Sequence, residues 1–153
     1  MDEVGKTALA MNIAENTAIL DGKVVGVFSL EMSKEALRML SSRAQVDSHK
    51  LRTGFLGKED MQKPTHAMEG LMQACLFIDD TLGISVTEMR SKGRRLKQQE
   101  GRLDVIIVDY LQLMSAAPIG GKRFENRTHE VSAISRGLKA VAKELKVPVV
   151  ALS

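Results

Sequence analysis

The sequence predicts an α/β fold in which a mostly parallel sheet carries helices on both faces. Stretches typical of strands and of helices alternate along the 153 residues. The strand-like stretches are apolar throughout, as expected for strands buried on both sides. The length fits one domain with one sizeable core, and no apolar stretch approaches the roughly 20 residues of a membrane-spanning helix. We therefore expect a soluble, cytoplasmic domain without a signal peptide.

Each element follows from its local pattern. A helix is expected from Gly5 onward, and another after Ser33 as N-cap. A third is expected over residues 58–74, where Pro64 marks a start or a break. Ser85 and Glu88 fit a capping box that opens a helix, and an amphipathic pattern predicts a helix over residues 125–145. The expected strands are residues 23–31, 75–80, 103–114 and 146–153.

Composition limits the function classes. The net charge is +3, which permits contact with nucleic acid without arguing for it. The lone cysteine, Cys75, excludes an internal disulfide, and its apolar neighbours favour a buried structural thiol. The histidines are dispersed and show no metal-ligand spacing.

The first candidate site is Gly5-Lys6-Thr7 at the start of a helix. This is how a phosphate-binding loop ends: Lys6 would reach phosphate oxygens, and the Thr7 hydroxyl would ligate magnesium. A helix start that happens to contain a lysine is the alternative. Helix N-termini favour anions, which supports the phosphate site.

Two acids at strand ends complete this candidate site. Asp109 ends the run Val-Ile-Ile-Val and could hold Mg²⁺, although it could also cap a turn. Glu31 could activate a water molecule as general base, or could stabilise the dipole of a following helix. Ligands of parallel sheets bind at the carboxyl ends of strands, so residues 29–32, Asp109 and Ser153 are expected at one edge.

Several motifs together closely resemble the C-terminal motor domain of the DnaB family of bacterial replicative DNA helicases. They are GKTALAMNIAENTA, FSLEM, IIVDYLQLM and ENRTHEVSAISRGLKAVAKELKVPVVALS. The resemblance covers essentially the whole chain from Gly5 onward. It implies a RecA-like P-loop NTPase core, with residues 1–153 as a partial ATPase domain truncated at both ends.

The resemblance implies a role for each candidate residue. Gly5, Lys6 and Thr7 would end the Walker A loop and bind ATP, and Lys6 would act in catalysis. Glu31 would be the catalytic glutamate, while Thr7 and Asp109 would hold Mg²⁺. In the family, a loop after the Walker B strand faces the DNA channel, so Lys122, Arg123 and Arg127 are candidate DNA contacts. A solvated basic loop is the alternative.

The resemblance also implies an activity and partners. The family couples ATP hydrolysis to 5′-to-3′ movement along single-stranded DNA, as a ring of six identical subunits that works with primase and a helicase loader. The alternative is a RecA-like fragment without autonomous ATPase activity; a recombinase-type ATPase is disfavoured by DYLQLM.

One departure from the family affects the fold. The family carries a strand and a Gly-rich turn before Gly-Lys-Thr, whereas this chain has only MDEV there. That strand is normally central, so a groove of unpaired backbone is expected in the middle of the sheet.

Weaker features have mainly structural interpretations. Asp79 and Asp80 could approach the nucleotide edge, but a turn explains them equally well. A basic cluster on the predicted helix after Ser85 is expected to form a solvated face; its members are Arg90, Lys92, Arg94, Arg95 and Lys97.

Overall fold

The computed structural model describes residues 3–33, 75–109, 112, 114 and 126–153. The elements in chain order are α1 (Glu3–Glu15), a π-helical turn (Asn16–Leu20), β1 (Val25–Ser29), β2 (Leu76–Asp79), α2 (Val86–Glu100), β3 (Val105–Asp109), α3 (Arg127–Leu145) and β4 (Val149–Ala151). The helices expected after Ser33 and over residues 58–74 lie outside the described residues.

The four described strands form one parallel sheet in the order β2-β1-β3-β4. β1 and β3 lie in the middle and are buried at every position, whereas β2 and β4 are partly exposed. This confirms the α/β prediction and explains the uninterrupted apolar runs, because a central strand meets a covered face on both sides.

The expected groove in the middle of the sheet is not found between the described strands, so that prediction was wrong. β3 pairs directly with β4, with Ile106 opposite Val149. The pairing extends beyond β4, because the Leu152 amide donates to the Val108 carbonyl over 2.9 Å. The connection through α3 returns the chain to the side of β3, so the described strands leave no gap there to be filled.

Both faces of the sheet are covered. Successive side chains of a strand point to opposite faces, so β1 contributes Phe28 to one apolar cluster and Val27 to the other. The first cluster lies against α2 and α3, and the second lies against α1. On α3 the buried residues are Ile134, Leu138, Val141 and Leu145, the amphipathic face that the sequence predicted.

The helix ends follow their capping residues. The Ser85 hydroxyl accepts a 3.1 Å hydrogen bond from the Glu88 amide and confirms the predicted start of α2. α2 ends at Gly101, whose φ of 74° lies in the left-handed region that glycine adopts without strain. At the start of α3, the Asn126 side chain accepts from the Thr128 amide at 3.0 Å.

The basic cluster on α2 is not simply a solvated face. Lys92 bonds to Asp79, Arg90 and Arg94 pair with Glu144 of α3, and the Lys97 ammonium donates to the Leu145 carbonyl at the end of α3. These cations therefore tie α2 to β2 and α3, whereas Arg95 is exposed.

Two smaller findings concern Cys75 and the membrane. Cys75 is half-buried and packs against the cluster below α2 and α3, so it is less enclosed than predicted. In the described part of the chain, no helix has both the length and the apolar composition needed to cross a bilayer.

Candidate functional site

The Gly5-Lys6-Thr7 segment lies in the first turns of α1, which begins two residues earlier than expected. Thr7 is buried, with 2% of its surface exposed. Its hydroxyl donates a 2.7 Å hydrogen bond to Asp109 Oδ2. The structure thus brings together two of the predicted site residues, although 102 positions separate them in the sequence.

Lys6 occupies the same edge of the sheet. It is half-buried, and its ammonium donates a 2.8 Å hydrogen bond to the Ser153 carbonyl, just beyond β4. Lys6 therefore reaches the carboxyl ends of the strands, where parallel sheets bind ligands. An ammonium group has three N–H donors, so one acceptor does not exhaust its capacity.

Asp109 is the last residue of β3 and is 3% exposed. Burial raises the pKa of its carboxyl group above the usual value. The Thr7 hydrogen bond and the positive charge of Lys6 act in the opposite direction without cancelling the effect of burial. The ionised carboxylate therefore lies in surroundings that compensate its charge only in part, as a cation-binding group does before its cation arrives.

Glu31 lies two residues after β1, at the same edge as Asp109. Ser29 stands opposite Asp109 in the sheet, and the Leu30 amide donates to the Asp109 carbonyl over 2.7 Å. Glu31 follows directly and its side chain is exposed. The backbone thus fixes Glu31 one residue beyond a hydrogen bond to Asp109, while the predicted role of Glu31 as a base stays a prediction.

Thr7 and Asp109 suit a magnesium ion by their donor chemistry. Mg²⁺ prefers oxygen ligands, and proteins commonly supply one or two carboxylates while phosphates and water complete the shell. A hydroxyl oxygen and a carboxylate lie side by side here, both buried. Among the described residues there is no cluster of three or more His, Cys, Asp or Glu side chains that could hold a metal without a phosphate.

Asp79 has a structural environment. Its carboxylate accepts from the Lys92 ammonium at 2.7 Å and from the Thr81 amide at 3.0 Å, and Lys92 also donates to the Thr81 hydroxyl. Burial alone would raise the pKa of Asp79, but the Lys92 and Thr81 bonds outweigh it and hold the pKa below the usual value. These contacts favour the turn interpretation.

The predicted DNA contacts divide into two groups. Lys122 and Arg123 lie outside the described residues. Arg127 is exposed at the start of α3 and forms an ion pair with Glu130, one turn further along the helix. An exposed cation paired within its own helix is compatible with either a DNA contact or a solvated surface.

One residue at this edge, Ser29, had no predicted role of its own. It is 1% exposed, and its hydroxyl bonds to the backbone of Met32 on the far side of Glu31. A serine inside an otherwise apolar strand was the available signal. A hydroxyl at a buried strand end needs a hydrogen-bond partner, and here the partner is the following turn.

Known proteins with similar sequences are replicative helicases. Replicative DNA helicase DnaC of Bacillus subtilis is 51% identical over 152 residues, which are 98% of this chain and 33% of that protein. Replicative DNA helicase DnaB of Synechocystis is 46% identical over 153 residues, or 98% of this chain and 17% of the relative. The chain thus spans a third or less of the length of these curated relatives.

Solved structures share the fold. One of them, an isolated ATPase domain, matches with a TM-score of 0.78 and 34% identity over 97% of this chain and 52% of that one. A DnaB-like replicative helicase, solved in a study of its interactions with primase, also matches with a TM-score of 0.78 and 34% identity, over 97% of this chain and 36% of the other. The RecA-like ATPase fold expected from the motifs is thereby confirmed. The profile of the DnaB-like helicase C-terminal domain matches residues 2–153, and the chain belongs to this family.

Proposed function

We propose that residues 1–153 are part of the motor domain of an ATP-dependent replicative DNA helicase, which moves 5′ to 3′ along single-stranded DNA and unwinds the duplex at the fork. The observation that carries this proposal is the 2.7 Å hydrogen bond from Thr7 to Asp109. It joins the start of α1 to the end of β3, the two places from which a P-loop enzyme holds magnesium.

The proposal gives each residue of the edge a chemical task. The Lys6 ammonium, which bonds to the Ser153 carbonyl, has further N–H groups to donate to the β- and γ-phosphates of ATP. The amides of Gly5, Lys6 and Thr7 offer the positive end of the α1 dipole to the phosphates. Thr7 and Asp109 hold Mg²⁺, which neutralises charge on the phosphate oxygens when it is bound. Glu31 accepts the proton of the attacking water.

The proposal extends to partners by family membership and similarity. We propose that the protein acts in the cytoplasm as a ring of six copies on single-stranded DNA, with Lys122, Arg123 and Arg127 contacting phosphates. A primase and a helicase loader are its expected partners. One of the similar solved proteins is a DnaB-like helicase studied with primase, which supports this choice.

A second candidate is a non-catalytic RecA-like unit that does not turn over ATP. The observation in its favour is that Thr7 and Asp109 satisfy each other, and that Lys6 bonds to the backbone of Ser153. A purely structural polar pair would have the same geometry.

Nucleotide binding separates the two candidates. The purified chain is titrated with a fluorescent ATP analogue and Mg²⁺, alongside Lys6→Ala and the control Lys139→Ala, which removes an exposed lysine of α3. The helicase proposal predicts saturable binding that only Lys6→Ala abolishes, and ATP hydrolysis that single-stranded DNA stimulates. Binding that ignores Lys6, or binding without hydrolysis, would favour the non-catalytic unit.

A further inference from the structure

Ser29 closes a tight turn around Glu31. The Ser29 hydroxyl donates a 2.7 Å hydrogen bond to the Met32 carbonyl. The same oxygen accepts a 3.3 Å hydrogen bond from the Met32 amide. Both backbone polar groups of Met32 are therefore tied to one side chain, and only Leu30 and Glu31 lie between the tied positions.

The residues beside Glu31 are anchored in the core. Leu30 is 3% exposed and belongs to the apolar cluster under α2 and α3. Met32 packs against the other cluster, under α1. Glu31 lies between them with an exposed side chain, so its backbone is held on one side by each layer of the core.

The turn is also fixed relative to Asp109. Ser29 stands opposite Asp109 in the ladder between β1 and β3, and the Leu30 amide donates to the Asp109 carbonyl at 2.7 Å. Asp109 in turn accepts from Thr7. A continuous series of hydrogen bonds therefore connects Thr7, Asp109, the Leu30 amide and the turn that carries Glu31.

We propose that Ser29 is a positioning residue for Glu31, whose hydroxyl holds the turn so that the Glu31 carboxylate faces the reacting water. The inference rests on the proposed ATPase function. A general base must lie within hydrogen-bond reach of the proton it removes, and a misplacement of about 1 Å can lower a rate about a hundredfold. A buried hydroxyl spent on the backbone around an exposed acid supplies that restraint.

Three variants test this role. Ser29→Ala removes the hydroxyl without adding volume, and Ser29→Thr keeps a hydroxyl on a residue that suits strands. Ser91→Ala is the matched control, because Ser91 also donates to a backbone carbonyl, that of Thr87, but on the exposed surface of α2. For each protein we would measure the Kd for the ATP analogue, kcat for ATP and hydrogen exchange of the Met32 amide.

The expected result is a split between binding and turnover. Ser29→Ala keeps the wild-type Kd, loses about ten- to a hundredfold in kcat, and exchanges the Met32 amide about fivefold faster. Ser29→Thr recovers most of kcat, and Ser91→Ala resembles the wild type. An unchanged kcat in Ser29→Ala, or a Ser29→Thr variant as slow as Ser29→Ala, would overturn the inference. A wild-type chain that fails to bind or hydrolyse ATP would instead overturn the proposed function on which the inference depends.

Discussion

Thr7 and Asp109 lie 102 residues apart in the sequence and are joined by a buried 2.7 Å hydrogen bond. The Thr7 hydroxyl donates and the carboxylate accepts, so the start of α1 is fixed to the end of β3. This bond connects the fold to the proposed chemistry, because the two oxygens that would meet a magnesium ion already lie together.

Removal of the Thr7 hydroxyl should destabilise the chain. Thr7→Val keeps the shape of the side chain but leaves the buried Asp109 without its donor, which we expect to lower the free energy of unfolding by about 1–3 kcal/mol. Urea unfolding at neutral pH measures this change. Thr7→Ser keeps the donor and should lose less; equal losses in both variants would show that the methyl group, not the hydrogen bond, supplies the stability.

Asp109 should reduce stability at neutral pH. Its pKa is raised in the folded state, so the native protein binds more protons than the unfolded chain between the unfolded value of 3.8 and the raised value. Stability therefore falls as pH rises through that window, and the cost is fully present above it. We expect Asp109→Asn to unfold at higher urea than the wild type at pH 7, with a difference that shrinks towards pH 4.

Asp79 provides the control of opposite sign. Its pKa is lowered in the folded state, so its contribution is present above the unfolded value of 3.8 and is lost as pH falls through the lowered folded value. Asp79→Asn should therefore be less stable than the wild type at pH 7, and the two should converge in acid. The same direction of change for both variants would contradict these assignments.

Lys92 should contribute more than an ordinary surface lysine. It donates to Asp79 and Thr81, both at 2.7 Å, and its side chain is 31% exposed. We expect Lys92→Met to lower the free energy of unfolding by about 1 kcal/mol, since an exposed pair is worth about 0–1 kcal/mol and this one has a second acceptor. Lys139→Met, on the exposed side of α3, should change it little in the same unfolding experiment.

Close packing of α2 against α3 depends on Gly137. A Cβ atom at this position would lie 2.9 Å from Val86 Cγ1, which is too close for two carbon atoms. We expect Gly137→Ala to destabilise the protein by about 1–3 kcal/mol, although alanine favours helix more than glycine does. Thermal unfolding of the double variant Gly137→Ala/Val86→Ala measures the rescue; no recovery relative to Gly137→Ala alone would contradict the steric explanation.

The sequence placed the described strands well but not their ends. The apolar run 103–114 predicted β3, yet the strand stops at Asp109, because strand pairing and not hydropathy sets the end. β4 likewise spans three residues of the eight expected. The helix starting at Ser85 was found where predicted, since a cap is a local signal.

The candidate site was predictable as a place and not as a set of contacts. Parallel strands put Lys6, Asp109 and Ser153 at one edge, as expected. The bonds Thr7–Asp109 and Lys6–Ser153 depend on how α1 lies on the sheet, which no local pattern states. The pairing of β3 with β4 and the ion pairs of the basic cluster were missed for the same reason.

The central claim is that Thr7 and Asp109 hold Mg²⁺ beside the phosphates of ATP. The most direct test is a titration of the fluorescent ATP analogue with and without Mg²⁺, for the wild type, Asp109→Asn and the control Asp21→Asn, an exposed acid. We predict that Mg²⁺ tightens binding to the wild type and to Asp21→Asn but has little effect on Asp109→Asn. Equal tightening in all three proteins would contradict the claim.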